Sequence, residues 1–151
     1  MSLSIQEISD RFEIKDLLID YCTAIDSRDF DALDNIFTPD AHIDYTCFGG
    51  PKGKFPEIKT YLEKALPNFP SYQHMLGNSR VWLEGDQARA RTICHNPMVI
   101  PRPDGSKQTA FFGLWYVDKL VRTKEGWRLS ERLEEAAYIH NMPKDFSAIQ
   151  A

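Results

Sequence analysis

Three side chains in this sequence have the chemistry to move a proton on and off carbon: Asp26, Tyr45 and His74. An imidazole that gives one ring N–H to a carboxylate has its tautomer fixed, and its other nitrogen stays available as a base near neutral pH. In that arrangement His74 is the base and Asp26 its orienter. Taking a proton from the carbon next to a carbonyl leaves an enolate, whose oxygen needs preorganised donors in a water-poor site. Tyr45 and Tyr21, or Tyr116 in place of one of them, carry suitable phenolic hydrogens. Protonated His74 then returns its proton to a leaving hydroxyl on the adjacent carbon, completing loss of water. No metal and no organic cofactor is required. Asn96, Met98, Phe112, Leu114 and Trp82 are the expected walls of a pocket for a small apolar or ring-containing metabolite.

The elements that position these groups are legible from period and punctuation. Ser4 to Glu7 forms a capping box, and Ile5, Ile8, Phe12, Leu18, Tyr21, Cys22 and Ile25 recur near a helical period, predicting a helix that runs to about Asp26. Asp29 caps a second helix with Phe30, Leu33, Ile36 and Phe37 facing inward. Residues 41–47 alternate as a strand, with Tyr45 on one face and His42 on the other. A third helix carries Pro56 in its first turn and Ile58, Tyr61, Leu62 and Leu66 on its apolar side. Four strands follow at about 72–83, 87–100, 109–121 and 127–139, joined by turns at Glu84-Gly85-Asp86, Pro103-Asp104-Gly105 and Lys124-Glu125-Gly126. Alternation puts His95 with Arg89, Arg91 and Ile93 on an outer face, and His140 in a C-terminal tail.

Helices first and strands afterwards indicate an α+β fold with segregated layers. Three N-terminal helices against one curved, mostly antiparallel sheet make a cone whose open end is an apolar pocket. At 151 residues, 42% hydrophobic and 26% charged, the chain fits a single domain over 1–151, with a core at about 5–139 and a tail at 140–151. A net charge of −4 with thinly spread Lys and Arg supplies no basic stripe, so neither nucleic acid nor a membrane is an expected partner. The apolar runs are too short to cross a bilayer and the N-terminus lacks a signal-peptide pattern, giving a cytoplasmic expectation. Cys22, Cys47 and Cys94 are odd in number and widely spaced, and read as buried free thiols.

The stretch from Tyr21 to Phe30, then Phe37-Thr38-Pro39-Asp40-Ala41, Gln73-His74 and Gly126-Trp127-Arg128-Leu129, resembles the SnoaL-like branch of the nuclear transport factor two-like superfamily, whose fold is also called a cystatin-like α+β barrel. The resemblance extends over about 5–139. Within it, the scytalone dehydratases and bile acid dehydratases match most closely. Their helix-end Asp, pocket His and strand Tyr fall on Asp26, His74 and Tyr45, and the bile acid enzymes' further tyrosines fall at Tyr21 and near Tyr116. The second pocket His of scytalone dehydratase falls near Met98, its Ser and Asn fall at Leu114 and Tyr116, and the bile acid enzymes' late arginine falls near Ala136. Steroid isomerases share Tyr21 but place their basic Asp where this chain has Tyr45. The epoxide hydrolases use an Asp-Arg-Asp set, and no inward arginine with two such partners is legible here.

Two function classes follow. One is a cofactor-independent dehydratase (hydro-lyase), or a related isomerase, acting on a small cyclic or carbonyl-bearing metabolite. The other is a non-catalytic small-molecule-binding or assembly domain of the same fold. Phe111, Trp115 and Val117 alternate away from Tyr116, so the sheet's outer face needs cover that a second subunit can supply. The resemblance implies a homodimer or homotrimer.

Overall fold

The computed structural model describes residues 2–146. Helix α1 (Ile5–Ser27) opens on the expected box: Glu7 N donates to Ser4 Oγ at 3.2 Å, and Ser4 N donates to the Glu7 carboxylate at 2.7 Å. Two orphan donors of the first turn are thereby satisfied. The helix stops at Arg28, which takes a left-handed conformation (φ 60°) while its N–H bonds back to the Ala24 and Ile25 carbonyls.

Its buried face is Asp10, Ile14, Leu17, Leu18, Tyr21, Cys22, Ala24 and Ile25. This differs from the expected face at the N-terminal end, where Ile5, Ile8 and Phe12 are exposed. With Ile19 they make a second apolar stripe, turned away from the sheet. A helical period therefore fits both faces, and only contact with the sheet distinguishes them.

After Asp29, whose carboxylate accepts from Ala32 N at 3.3 Å, the expected second helix is a short 3-10 segment, Phe30–Asn35. It ends earlier than expected because Phe37 already belongs to strand β1 (Phe37–Asp44). Tyr45 lies just past β1, at the start of a single 3-10 turn. A short β2 (Lys52–Lys54) leads into α2 (Phe55–Ala65), which buries Phe55, Ile58, Leu62 and Ala65.

The sheet is completed by β3 (Ser71–Tyr72), β4 (Met75–Glu84), β5 (Gln87–Pro101), β6 (Lys107–Thr123) and β7 (Gly126–His140). Its order is β2-β1-β7-β6-β5-β3, with β4 also paired to β5. All pairings are antiparallel except β1 with β7, as a mostly antiparallel sheet requires. The sheet curls around α1, and the core of Ile14, Leu18, Ile25, Ile43, Leu120 and Leu129 lies between them. Each of these buried side chains contributes about 1.5–3 kcal/mol by leaving water.

Two irregularities in β7 set its inward side chains. Leu120 pairs with Leu129 and Lys119 with Glu131, so Ser130 is an extra residue; Leu114 pairs with Ala136 and Gly113 with Tyr138, so Ala137 is another. An extra residue moves all later side chains to the opposite face. Inward positions thus run Trp127, Leu129, Arg132 and Glu134. In the N-terminal part of α1, the buried Asp10 receives two bonds of 2.7 Å from Arg122 and one of 3.2 Å from Trp127 Nε1. This clamp ties the helix to the ends of β6 and β7. His140 closes β7 and stands 6.2 Å from the Phe111 ring, so it belongs to the sheet and not to a tail. The tail expected at 140–151 is described to Phe146, and its remainder lies outside the described residues.

Candidate active site

The last turn of α1 faces the segment between β3 and β4, and two side chains lock them together. Tyr72 donates its hydroxyl to the Ile25 carbonyl at 3.0 Å, and Arg28 bonds the Phe69 carbonyl at 2.7 Å with its guanidinium 5.4 Å from the Tyr72 ring centre. On the other side, Asn96 Nδ2 donates to the Gln73 carbonyl at 2.9 Å, holding the segment to β5. His74 is therefore fixed from both sides.

Asp26 binds His74 twice. One carboxylate oxygen accepts from the His74 backbone N–H at 2.9 Å, and the other lies 2.6 Å from Nδ1. The second contact places the Nδ1 proton between the ring and the carboxylate, leaving Nε2 with a lone pair. The His74 side chain is 9% exposed and lines an apolar pocket of about 160 Å³.

Across the pocket, the hydroxyls of Tyr21 and Tyr45 bond each other at 2.7 Å, and both tyrosines are buried. Gly50 backs Tyr45 so tightly that an added Cβ would come 2.9 Å from the Tyr45 Cβ. Burial pushes both phenols above their ordinary pKa. One hydroxyl hydrogen is used within the pair, so the two tyrosines together present one phenolic hydrogen to the cavity. Sequence reasoning counted two.

Asn96, Met98, Phe112 and Leu114 do line the cavity. Trp82 does not. It is on the outer face of the sheet, 39% exposed, with the guanidinium groups of Arg80 and Arg89 5.8 and 5.7 Å from its ring. Simple alternation fails there because the β4–β5 register shifts between Leu76 and Ser79. Tyr116 is also absent from the lining: it is 1% exposed and packs beneath Tyr21 at 5.7 Å between ring centres, edge to face. His95 lies on the outer face, its Nδ1 3.1 Å from the Tyr138 hydroxyl. Cys22 and Cys94 are buried, whereas Cys47 is exposed, contrary to expectation. Desolvation pushes their thiols up to about 12, 11 and 11, so none is an activated nucleophile.

The main features missed from sequence lie on β7. Arg132 is fully buried and forms two 2.8 Å bonds with Asp118, with its guanidinium 4.1 Å from the Tyr21 ring and 4.0 Å from the Tyr116 ring. An inward arginine thus exists, with one carboxylate partner, four residues before the expected position at Ala136. The carboxylate's charge holds Arg132 ionised despite burial. Glu134, also missed, lines the pocket. The available signal was the charged run Glu131-Arg132, whose break in alternation marks the extra residue at Ser130. Phe69, Tyr61, Met142 and Phe146 close the remaining sides. Among the described residues no group of three His, Cys, Asp or Glu side chains stands close enough to hold a metal ion, and no helix is long and apolar enough to cross a membrane.

A profile of the SnoaL-like domain family matches residues 6–133. An uncharacterized protein of Mycobacterium tuberculosis (strain ATCC 25618 / H37Rv) is 53% identical over 136 residues, covering 90% of this chain and 91% of its own length. Among solved structures, a protein from Kribbella flavida is 25% identical with a TM-score of 0.81, covering 89% of this chain and 95% of that one. The "Putative Scytalone Dehydratase" of Novosphingobium aromaticivorans DSM 12444 is 15% identical with a TM-score of 0.78, covering 91% and 90%, a likeness of fold.

Proposed function

Because the chain belongs to the SnoaL-like family, we propose that it is a cofactor-independent hydro-lyase, or a closely related isomerase, acting on a small cyclic, carbonyl-bearing metabolite. The observation that carries this reading is the 2.6 Å contact between His74 Nδ1 and Asp26 at the wall of an apolar pocket. A carboxylate-steered imidazole with few other polar neighbours is suited to taking a proton from carbon.

The reaction runs from the residues outward. His74 Nε2 removes the hydrogen next to the substrate carbonyl. Asp26 stabilises the imidazolium that forms. The free phenolic hydrogen of the Tyr21–Tyr45 pair meets the developing enolate oxygen. The enolate collapses, the bond to the adjacent hydroxyl breaks, and His74 gives its proton to that oxygen, so that water leaves and a conjugated carbonyl remains. In the isomerase variant His74 returns the proton to a different carbon. Cavities of about 150 Å³ hold a benzene ring, and the pocket here, at about 160 Å³, suits one substituted ring.

A panel of cyclic β-hydroxy ketones tests the reading, with the ultraviolet absorbance of the conjugated product and solvent-deuterium exchange at the α-carbon as readouts. His74→Ala and Asp26→Asn should each lower turnover by about 10²–10⁴-fold while leaving the thermal unfolding midpoint near that of the wild type. A binding domain would instead show no exchange and retain ligand affinity in Asp26→Asn. Exchange no faster in the wild type than in His74→Ala would sink the proposal.

A further inference from the structure

Glu134 is the polar group in the cavity that the mechanism above leaves unused. It projects from β7 into the pocket and makes no hydrogen bond or ion pair among the described residues. Arg132, two residues earlier on β7, does not bond it: two of its nitrogens go to Asp118 at 2.8 Å, and its buried Nη1 has no hydrogen-bond partner among the described residues. The other titratable groups close enough to act on Glu134 through their charge are neutral or of the same sign: Tyr21 from α1, Tyr61 from α2, Asp44, Tyr45 and Cys47 from β1 and the turn after it, Cys94 from β5 and Tyr116 from β6, while His74, bound to Asp26, lines the same pocket. Glu134 is partly buried at the pocket wall, so its charged form gives up part of its water without gaining a partner. The acid form gives up less, and its O–H then needs an acceptor that the described residues do not supply.

We propose that Glu134 acts as a carboxylic acid, donating a hydrogen bond to an oxygen of the bound molecule beside the Tyr21–Tyr45 pair, so that the pocket selects neutral ring compounds bearing a carbonyl or hydroxyl over carboxylates and amines. The inference deepens the hydro-lyase reading by naming what its substrate carries, and it makes Glu134 a specificity-determining residue. Burial pushes this carboxyl up to about 8, with Arg132 opposing and Asp44 reinforcing the shift. The donor is therefore present below about pH 8 and lost above it.

The test needs no turnover. Acetophenone, benzoate and benzylamine, three ring probes of one size, are offered to the full chain at about pH 6.5 and about pH 9.5, and binding is read by ligand-observed NMR. Acetophenone should bind best at the lower pH and about tenfold more weakly at the higher one, the worth of one hydrogen bond. Glu134→Gln, whose amide still donates, should bind acetophenone equally at both. In the wild type labelled with ¹³C at glutamate carboxyls, one resonance should titrate near pH 8 and be missing from that variant. Preference for benzylamine, absent or pH-independent acetophenone binding, or glutamate resonances that all titrate in the ordinary range would overturn the inference. The wild-type titration decides the matter even where the variant does not fold. Acetophenone binding of the expected kind, with no turnover of any hydroxy ketone, would sink the hydro-lyase reading and leave this one standing.

Discussion

A single hydrogen bond, 2.7 Å between the Tyr21 and Tyr45 hydroxyls, changes how the tyrosines should respond to mutation. The pair offers one outward hydrogen, and either hydroxyl alone can offer the same. Tyr21→Phe and Tyr45→Phe should therefore each keep activity within about tenfold of the wild type. The double variant should fall by about 10²–10³-fold, the usual cost of losing an oxyanion donor. Steady-state kinetics on all three variants checks this, and two single variants as slow as the double would refute it. Residue types and their order, with the resemblance to the dehydratases, made Asp26, His74 and these tyrosines visible as candidates, because their chemistry is intrinsic to the side chain. That two phenols spend a hydrogen on each other was not visible, since it depends on a distance between α1 and the end of β1.

The clamp at Asp10 belongs to the elements it joins. Its carboxylate is held down at about 2, chiefly by the Arg122 hydrogen bonds, with Trp127 and Gln6 adding to them. A group whose pKa is lower folded than unfolded stabilises the fold above its unfolded value, 3.8 here, and that stabilisation disappears as pH falls through about 2. Arg122→Ala should cost about 2 kcal/mol at neutral pH, and the cost should shrink as the solution is acidified. Urea unfolding at about pH 7 and about pH 3 measures both; an equal loss at the two would show that Arg122 acts by packing alone. Helix α1 was legible in outline because its cap is local. Its buried face was misjudged at Ile5, Ile8 and Phe12, since both faces of the helix are apolar and the period cannot rank them.

At the scale of the molecule, exposed apolar side chains gather in two places among the described residues. Phe111, Trp115 and Val117 project from the outer face of the sheet, with Arg91 4.2 Å over the Trp115 ring, and Ile93 is 37% exposed beside them. The second stripe of α1 adds Ile5, Phe12 and Ile19. Apolar surface of this extent is characteristic of interfaces, so we expect a homodimer or homotrimer in solution. Light scattering at micromolar concentration should give two or three times the chain mass, and a stable monomer would refute the expectation.

Spacing and composition were enough to establish the order of the two long helices and the main strands, though not the short β2 or the break between β3 and β4, because caps, periods and turn chemistry act over a few neighbouring residues. Which side chains enter the pocket was a different matter. One extra residue in β7, at Ser130, sends Arg132 and Glu134 inward, and a register shift in β4 sends Trp82 outward. A strand repeats every two residues, so one inserted residue reverses every later side chain, and the insertion becomes apparent only once the neighbouring strand is paired alongside it.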